Sequence, residues 1–450
     1  MMWTTHAAAQ AISARVLGAD VEFSRVTTDS RQIQAGDLFV ALRGDKFDGH
    51  DYVTQALAQG AAAVVVDEQA GQDVAPALVV NDTRLALGQL ASVWRQRMPA
   101  QVLAITGSSG KTSVKEMLAA ILRTAAGDEA VLATQGNLNN DVGMPLTLLR
   151  LELNHQYAVV EMGMNHAGEI AYLTELAHPD VAAIINAGTA HIGMLGSQAA
   201  IAAAKGEILA GLASTGVAVI NADDTYAAMW RELAGKRSVI DFGLVHGHDV
   251  SATYRAEDSG SEITLQIGMV SAVVHLAVAG EHNVMNALAA AAIAHAVGID
   301  LAAIKNGLES YQGVKGRLQR KPARRGGVVI DDSYNANPDS TLAAIAVLAD
   351  MSGRKILVLG DMGELGADAA VMHTRVGAAA KVAGIDALYA LGDLSANAVS
   401  GFGAGAQHFN DMTELADAVM AQMSAGVTVL VKGSRFMQME RVVKILEEQA

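Results

Sequence analysis

Val102, Leu103, Ala104 and Ile105 form an unbroken apolar run between polar Gln101 and Thr106, and a glycine-punctuated turn follows. Such a run predicts a parallel strand covered on both faces. Beyond the turn, Val114, Met117, Leu118, Ile121 and Leu122 recur at helical spacing, which predicts a helix over 111–122. Comparable runs predict strands at 157–162, 181–186 and 217–221, and an alanine-rich helix at 284–297. Ahead of them, shorter runs at 38–42, 63–66 and 78–80 predict a small sheet. Asn81-Asp82-Thr83 is a helix N-cap cluster that opens the next domain.

After the basic stretch G-R-L-Q-R-K-P-A-R-R (316–325), read as a short linker, strands are expected at 328–331, 356–359, 387–390 and 427–431. Each ends in a polar loop: D-D-S-Y-N-A-N-P, G-D-M-G-E-L-G, G-D-L-S and K-G-S-R. Strands alternating with helices, with loops at the strand ends, describe a Rossmann-like parallel sheet. The expected fold is therefore α/β with three domains, over 1–82, 83–316 and 317–450. A small α/β domain precedes a central P-loop-type ATPase domain with a parallel sheet, and a Rossmann-like domain ends the chain.

Composition narrows the classes. A length of 450 residues gives ample core for several domains, and 44 glycines against 6 prolines suit many short turns. The apolar run 287–297 is broken by His295 and is too short to span a bilayer. M-M-W-T-T-H has no basic region before an apolar core, so no secretory signal is expected, and the cytoplasm is the default compartment. The absence of cysteine excludes disulfides and thiolate metal sites. A formal charge of −15 argues against a nucleic-acid partner, which requires a basic face. An anionic substrate must then be caught by local positive groups and metal, against the overall field.

The chemistry concentrates in the turn. T-G-S-S-G-K-T (106–112) places Gly107, Ser108, Ser109, Gly110, Lys111, Thr112 and Ser113 between strand and helix, the geometry of a phosphate-binding loop. Ile105 occupies the first glycine position of the strict G-x-x-x-x-G-K-[ST] pattern, so only its compact part is present. Lys111 is expected at the β- and γ-phosphates of ATP and Thr112 at Mg²⁺. Glu161 ends the next strand, where such sheets place a magnesium ligand, although a strand-end surface acid reads the same way. Taken alone, His191, just past a strand end, reads as structural, and Lys205, in an alanine-rich helix, as an exposed lysine. Ser30, Arg31, Arg43, Lys46 and His50 offer groups for an anionic ligand or simply a solvated surface.

T-G-S-S-G-K-T, E-M-G-M-N-H-A-G-E-I, N-A-G-T-A-H-I-G, D-D-S-Y-N-A-N-P and V-K-G-S-R occur in one order along essentially the whole chain. In this the chain resembles the Mur ligases. The resemblance implies a UDP-sugar domain, a central ATPase and a C-terminal domain for the incoming amine. The D-N-P-[RK] motif of the branch that adds the third peptide residue is missing. D-D-S-Y-N-A-N-P favours the branch joining D-alanyl-D-alanine to UDP-N-acetylmuramoyl-tripeptide. That implies an acyl phosphate formed from ATP with two Mg²⁺ ions, in a cytoplasmic enzyme expected to be a monomer. By the same resemblance Glu161 binds magnesium, and His191 and a carbamylated Lys205 serve a second ion. Asn283 lies near adenine, Arg317 braces the γ-phosphate, Asp332 meets the ribose, and Asn335 and Asn337 share that loop. Lys432, Ser434 and Arg435 are implied for the dipeptide carboxylate. Ser30 and Arg31, with Lys46, His50 and Asn137, are implied for the UDP-linked substrate. A folylpolyglutamate-synthetase-like ligase, or a binding protein that uses ATP only to change shape, stays open as an alternative.

Overall fold

The computed structural model describes residues 3–44, 46–70, 74–245, 247–257 and 260–448. Three large sheets and a two-stranded one, Trp3–Thr4 with Glu22–Phe23, occur among the described residues. The first large sheet has five strands in the order Arg15–Leu17, Ala77–Val80, Ala63–Asp67, Asp37–Val40 and Arg25–Thr27, parallel except for the first pair. The second has nine strands, with Gln101–Thr106 lying between Tyr157–Glu161 and Val181–Ile184. The third has six strands, and Val328–Asp332, Val427–Lys432 and Arg354–Gly360 are parallel neighbours in it. These include the α/β elements the apolar runs predict, with ends shifted by up to four residues, and add strands that no run marked, among them Arg15–Leu17, Arg25–Thr27 and Ser238–Gly243.

The strand Gln101–Thr106 shows how the central sheet is covered. Val102 and Ala104 pack on one face with the helix Thr83–Gln96, whose N-cap Asp82 accepts from the Arg84 and Leu85 amides. Leu103 and Ile105 pack on the other with the helices Lys111–Ala126 and Glu281–Ala296. Alternate residues of a strand point to opposite faces, so a run apolar at every position needs cover on both sides. The helix Glu281–Ala296 is itself buried nearly all round, which explains its lack of a polar stripe.

Two further stretches differ from expectation. The basic stretch 316–325 is not only a linker: Gln319–Pro322 is an antiparallel edge strand paired with Val328–Asp332. Its alternation is hidden because the residues are charged, which suits an edge strand, and Lys321 Nζ sits 3.1 Å from Asp331 and 2.8 Å from Glu447. The central sheet also continues into an antiparallel meander, Val250–Glu257, Gly260–Ile267 and Val270–Leu276. Much of its outer face is polar or exposed, so no apolar run marks it.

The phosphate-loop helix is held from behind by the helix Leu301–Ser310. A Cβ on Gly307 would fall on the Ile121 backbone, so these helices approach closely only because residue 307 is glycine. Gly307→Ala should therefore lower stability by about 1–3 kcal/mol despite alanine's better helix propensity, because a backbone neighbour cannot swing away. Denaturant unfolding is the check. An unchanged or raised midpoint would show that the two helices separate freely.

Candidate functional site

The polar loops at the carboxyl ends of the central and C-terminal sheets face one another across a cleft of about 1860 Å³. Ligands in open α/β sheets collect at such strand ends. Gly110 makes the phosphate loop possible: its φ is +84°, and a Cβ there would overlap the Asn286 side-chain oxygen. Asn186, from the next strand end, accepts from the Ser108 and Ser109 amides at 3.0 and 3.1 Å and donates to the Ser109 carbonyl at 3.1 Å. Asn186 thus holds the loop in shape from the neighbouring strand end. Lys111 Nζ donates to the Gly107 carbonyl at 2.7 Å. Burial pushes this ammonium below the usual lysine range, Glu161 and Glu364 oppose that shift, and Arg317 adds to it.

Three distant stretches meet at one hydroxyl. Thr112 Oγ1 donates to Glu161 Oε2 at 3.0 Å and accepts from Arg317 Nη2 at 3.0 Å. The other carboxylate oxygen of Glu161 accepts from Asn139 Nδ2 at 2.7 Å. A nearly fully buried carboxylate beside a hydroxyl is a hard-oxygen donor set of the kind magnesium takes, so these residues fit the ion. His191, at φ 64°, points Nδ1 to within 2.7 Å of Glu364 Oε2. The Glu364 carboxyl is held below its ordinary range chiefly by that contact, against the effect of burial. Lys205 is 1 % exposed and does not line the cleft. It has neither hydrogen bond nor opposite charge beside it among the described residues. Burial, then Lys111, push its amine well below the usual lysine range.

The C-terminal loops close the other wall. Asp332 and Lys432, both buried, pair at 2.6 Å, and Lys432 also donates to the Asn335 carbonyl at 3.0 Å. Ser434 Oγ donates to the Ala336 carbonyl at 3.1 Å and accepts from the Gly363 amide at 2.8 Å. Asn337 caps the helix Pro338–Ala349 and donates to Ser109 Oγ at 3.3 Å. Arg435 pairs with Glu440 at 2.9 Å. Asn283 donates to the Ala279 carbonyl at 2.8 Å, at the start of the helix Glu281–Ala296.

Most of the residues singled out in the sequence converge. Ser108, Ser109, Gly110, Lys111, Thr112, Ser113, Asn137, Glu161, His191, Asn283, Arg317, Asp332, Asn335, Asn337, Lys432, Ser434 and Arg435 all line the cleft. Gly107 lies behind it and offers its carbonyl to Lys111. Ser30, Arg31, Lys46 and His50 lie outside the cleft, in the N-terminal part. Arg31 folds back on Asp29 at 2.8 Å, and Lys46 is exposed. His50 has both ring nitrogens engaged, Nδ1 with Asp48 at 2.6 Å and Nε2 with the Asp67 amide at 3.1 Å, so it fixes a loop. The sequence reading missed Glu364, Asp339, whose Oδ2 accepts from Thr189 Oγ1 at 2.8 Å, and Tyr334. A carboxylate at the strand end in G-D-M-G-E-L-G was the available signal for Glu364.

Comparison with known proteins adds three family matches. The Mur ligase middle domain matches residues 105–294, the Mur ligase glutamate ligase domain 316–435, and the Mur ligase family catalytic domain 22–95. The UDP-N-acetylmuramoyl-tripeptide–D-alanyl-D-alanine ligase of Escherichia coli K12 is 46% identical over 441 residues, 97% of this chain and 96% of that one. MurF from Acinetobacter baumannii superposes with a TM-score of 0.93 at 39% identity, covering 99% of this chain and 98% of that one. The MurF ligase from Thermotoga maritima, solved in complex with ADP, gives 0.84 at 27% identity, covering 94% and 96%.

The loop carrying Glu364 is pinned by His373, which is fully buried. Its Nδ1 meets the Ala369 carbonyl at 2.7 Å and its Nε2 accepts the Met362 amide at 2.9 Å, so neither nitrogen has room for a second proton. Burial holds it below the usual imidazole range. Its folded pKa is depressed, so as pH falls through about 6.5 the unfolded chain takes up a proton that the native protein refuses. This contribution is full above that pH and is lost on acidification. His373→Gln should be less stable at about pH 8 yet lose less stability than the parent between about pH 7 and pH 5. Parallel stability curves for the two proteins would show that His373 titrates freely in the fold.

Proposed function

This chain belongs to the Mur ligase family, and from that premise we infer that it joins D-alanyl-D-alanine to UDP-N-acetylmuramoyl-tripeptide, converting ATP to ADP and phosphate. The observation that carries the reading is the meeting of Thr112, Glu161 and Arg317 at the mouth of the phosphate loop. A carboxylate is a poor acyl donor until one of its oxygens becomes a good leaving group. The tripeptide carboxylate therefore attacks the γ-phosphorus of ATP, ADP departs, and the dipeptide amine attacks the resulting acyl phosphate. A tetrahedral adduct then collapses to the amide and phosphate. Little covalent work is left to the protein, so positioning and charge stabilisation dominate.

Lys111 leaves the Gly107 carbonyl for the β- and γ-phosphate oxygens, and Arg317 meets the γ-phosphate. Thr112 and Glu161 would hold Mg²⁺, which when bound neutralises charge on the transferred group. Asn283 serves the adenine, while Asp332 faces the ribose, oriented by Lys432; Asn335 and Asn337 fix the same loop. With Lys432 and Ser434 engaged internally, Arg435 is the cation offered to the dipeptide carboxylate. Residues 1–82 with Ser30 and Arg31, helped by Asn137, are proposed for the UDP-linked substrate, residues 83–316 for ATP, and 317–450 for the dipeptide. Among the described residues no helix is long and apolar enough to cross a membrane, and we place the enzyme in the cytoplasm as a monomer.

The reading is tested by ADP release. Release should require the UDP-tripeptide and a dipeptide together, with D-alanyl-D-alanine preferred over its L,L isomer. Equal ADP release without any dipeptide would turn the chain into a nucleotide-driven binding protein.

Lys205 supplies a second test. An ammonium buried beside Lys111 with no opposite charge is untenable, so the group is a neutral amine or has been converted. A carbamate, formed when the neutral amine adds CO₂ and loses a proton, is an anionic oxygen donor suited to a second magnesium with His191. Isotope-labelled bicarbonate should give a carbamate resonance in the parent and none in Lys205→Ala. That variant should lose most activity and regain part of it with acetate. A fully active Lys205→Ala, or no resonance in the parent, would return Lys205 to a packing role.

A further inference from the structure

Tyr334 stands beside two guanidinium groups from different stretches of chain. The Arg317 guanidinium carbon lies 4.6 Å from the ring centroid and that of Arg435 6.0 Å. Both are within the range over which an aromatic ring attracts a cation. The first contact is set by the backbone. The Tyr334 amide donates to the Gly316 carbonyl at 3.1 Å, which brings the ring beside the next residue, Arg317.

Arg317 is only partly satisfied. Its Nη2 reaches Thr112, but its Nε is buried with no hydrogen-bond partner among the described residues. A buried charged donor left over in a cleft is a group waiting on an anion. Arg435 is loosely held: its side chain is 63% exposed, and Glu440 is its ion-pair partner. The Tyr334 hydroxyl makes no hydrogen bond among the described residues, so the ring is the part of the side chain that has partners.

We propose that Tyr334 is a positioning residue whose ring holds Arg317 for the terminal phosphate and Arg435 for the dipeptide carboxylate. The proposal rests on the ligase reading above and adds to it a single side chain linking the phosphoryl and amine ends of the cleft. The ring of Tyr334 is the group that the two guanidiniums share. The arrangement requires an aromatic face at residue 334 and does not require the hydroxyl.

The test uses the full chain with Tyr334→Phe and Tyr334→Leu, and Arg317→Ala as a reference. Calorimetry first measures how much more tightly each protein binds a non-hydrolysable ATP analogue than ADP, with Mg²⁺ and no other substrate. Dipeptide KM then follows from ADP release. Tyr334→Leu should lose triphosphate preference and raise the dipeptide KM, each by about three- to thirtyfold, while Tyr334→Phe stays within roughly twofold of the parent. Thermal midpoints separate these effects from unfolding, and Tyr334→Met replaces the leucine variant should that one not fold. Equal losses in the phenylalanine and leucine variants would assign the role to the hydroxyl and overturn the proposal. So would a leucine variant with unchanged triphosphate preference and dipeptide KM. If the parent itself shows no dipeptide-dependent ADP release, the ligase reading fails, and the nucleotide measurement still decides whether Tyr334 holds Arg317.

Discussion

Thr112 Oγ1 binds Glu161 and Arg317 at once, and these residues are 49 and 205 positions away along the chain. Each must be delivered by a different piece of architecture. Thr112 comes from the first turn of the helix behind Gln101–Thr106, and Glu161 from the end of the neighbouring parallel strand. Arg317 comes from the segment that enters the C-terminal sheet through its edge strand Gln319–Pro322. Parallel pairing of the first two strands in register, Glu161 opposite Ile105, puts the carboxylate at the height of the loop. A one-residue slip would turn Glu161 to the other face of the sheet.

The cleft solves an electrostatic problem. A chain of net charge −15 must bind nucleotide and peptide carboxylates, all anions. The cations lining the cleft are held by internal acceptors: Lys111 by the Gly107 carbonyl, Arg317 by Thr112, Lys432 by Asp332. Lys111 has to exchange its carbonyl for phosphate oxygens, whereas a group already oriented, such as Arg317 at Thr112, reorganises little when charge moves. Lys205 is the exception, buried near Lys111 without a counter-charge among the described residues.

The sequence disclosed the parts whose chemistry is local. The phosphate loop is legible because strand, glycine turn and helix are contiguous, and Gly110 is required by its own φ and by Asn286. The buried strands are legible because both faces are covered. The meander from Val250 to Leu276 is not, because one of its faces is exposed and its apolar positions are scattered. Partnerships between distant residues were also hidden. Nothing near Lys432 announces that it pairs with Asp332, nor that His50 bridges Asp48 and the Asp67 amide, nor that Glu364 meets His191. These depend on which sheet edges come together, and spacing along the chain carries no trace of that.

The central claim is that the cleft activates a carboxylate by phosphorylation before the amine attacks. The direct measurement is to label the terminal carboxylate of the UDP-tripeptide with heavy oxygen and follow the label through one turnover with ATP and D-alanyl-D-alanine. Passage through an acyl phosphate predicts that one labelled oxygen leaves in the inorganic phosphate and the other stays in the new amide. Phosphate free of label, with ADP formed at the normal rate, would contradict the account.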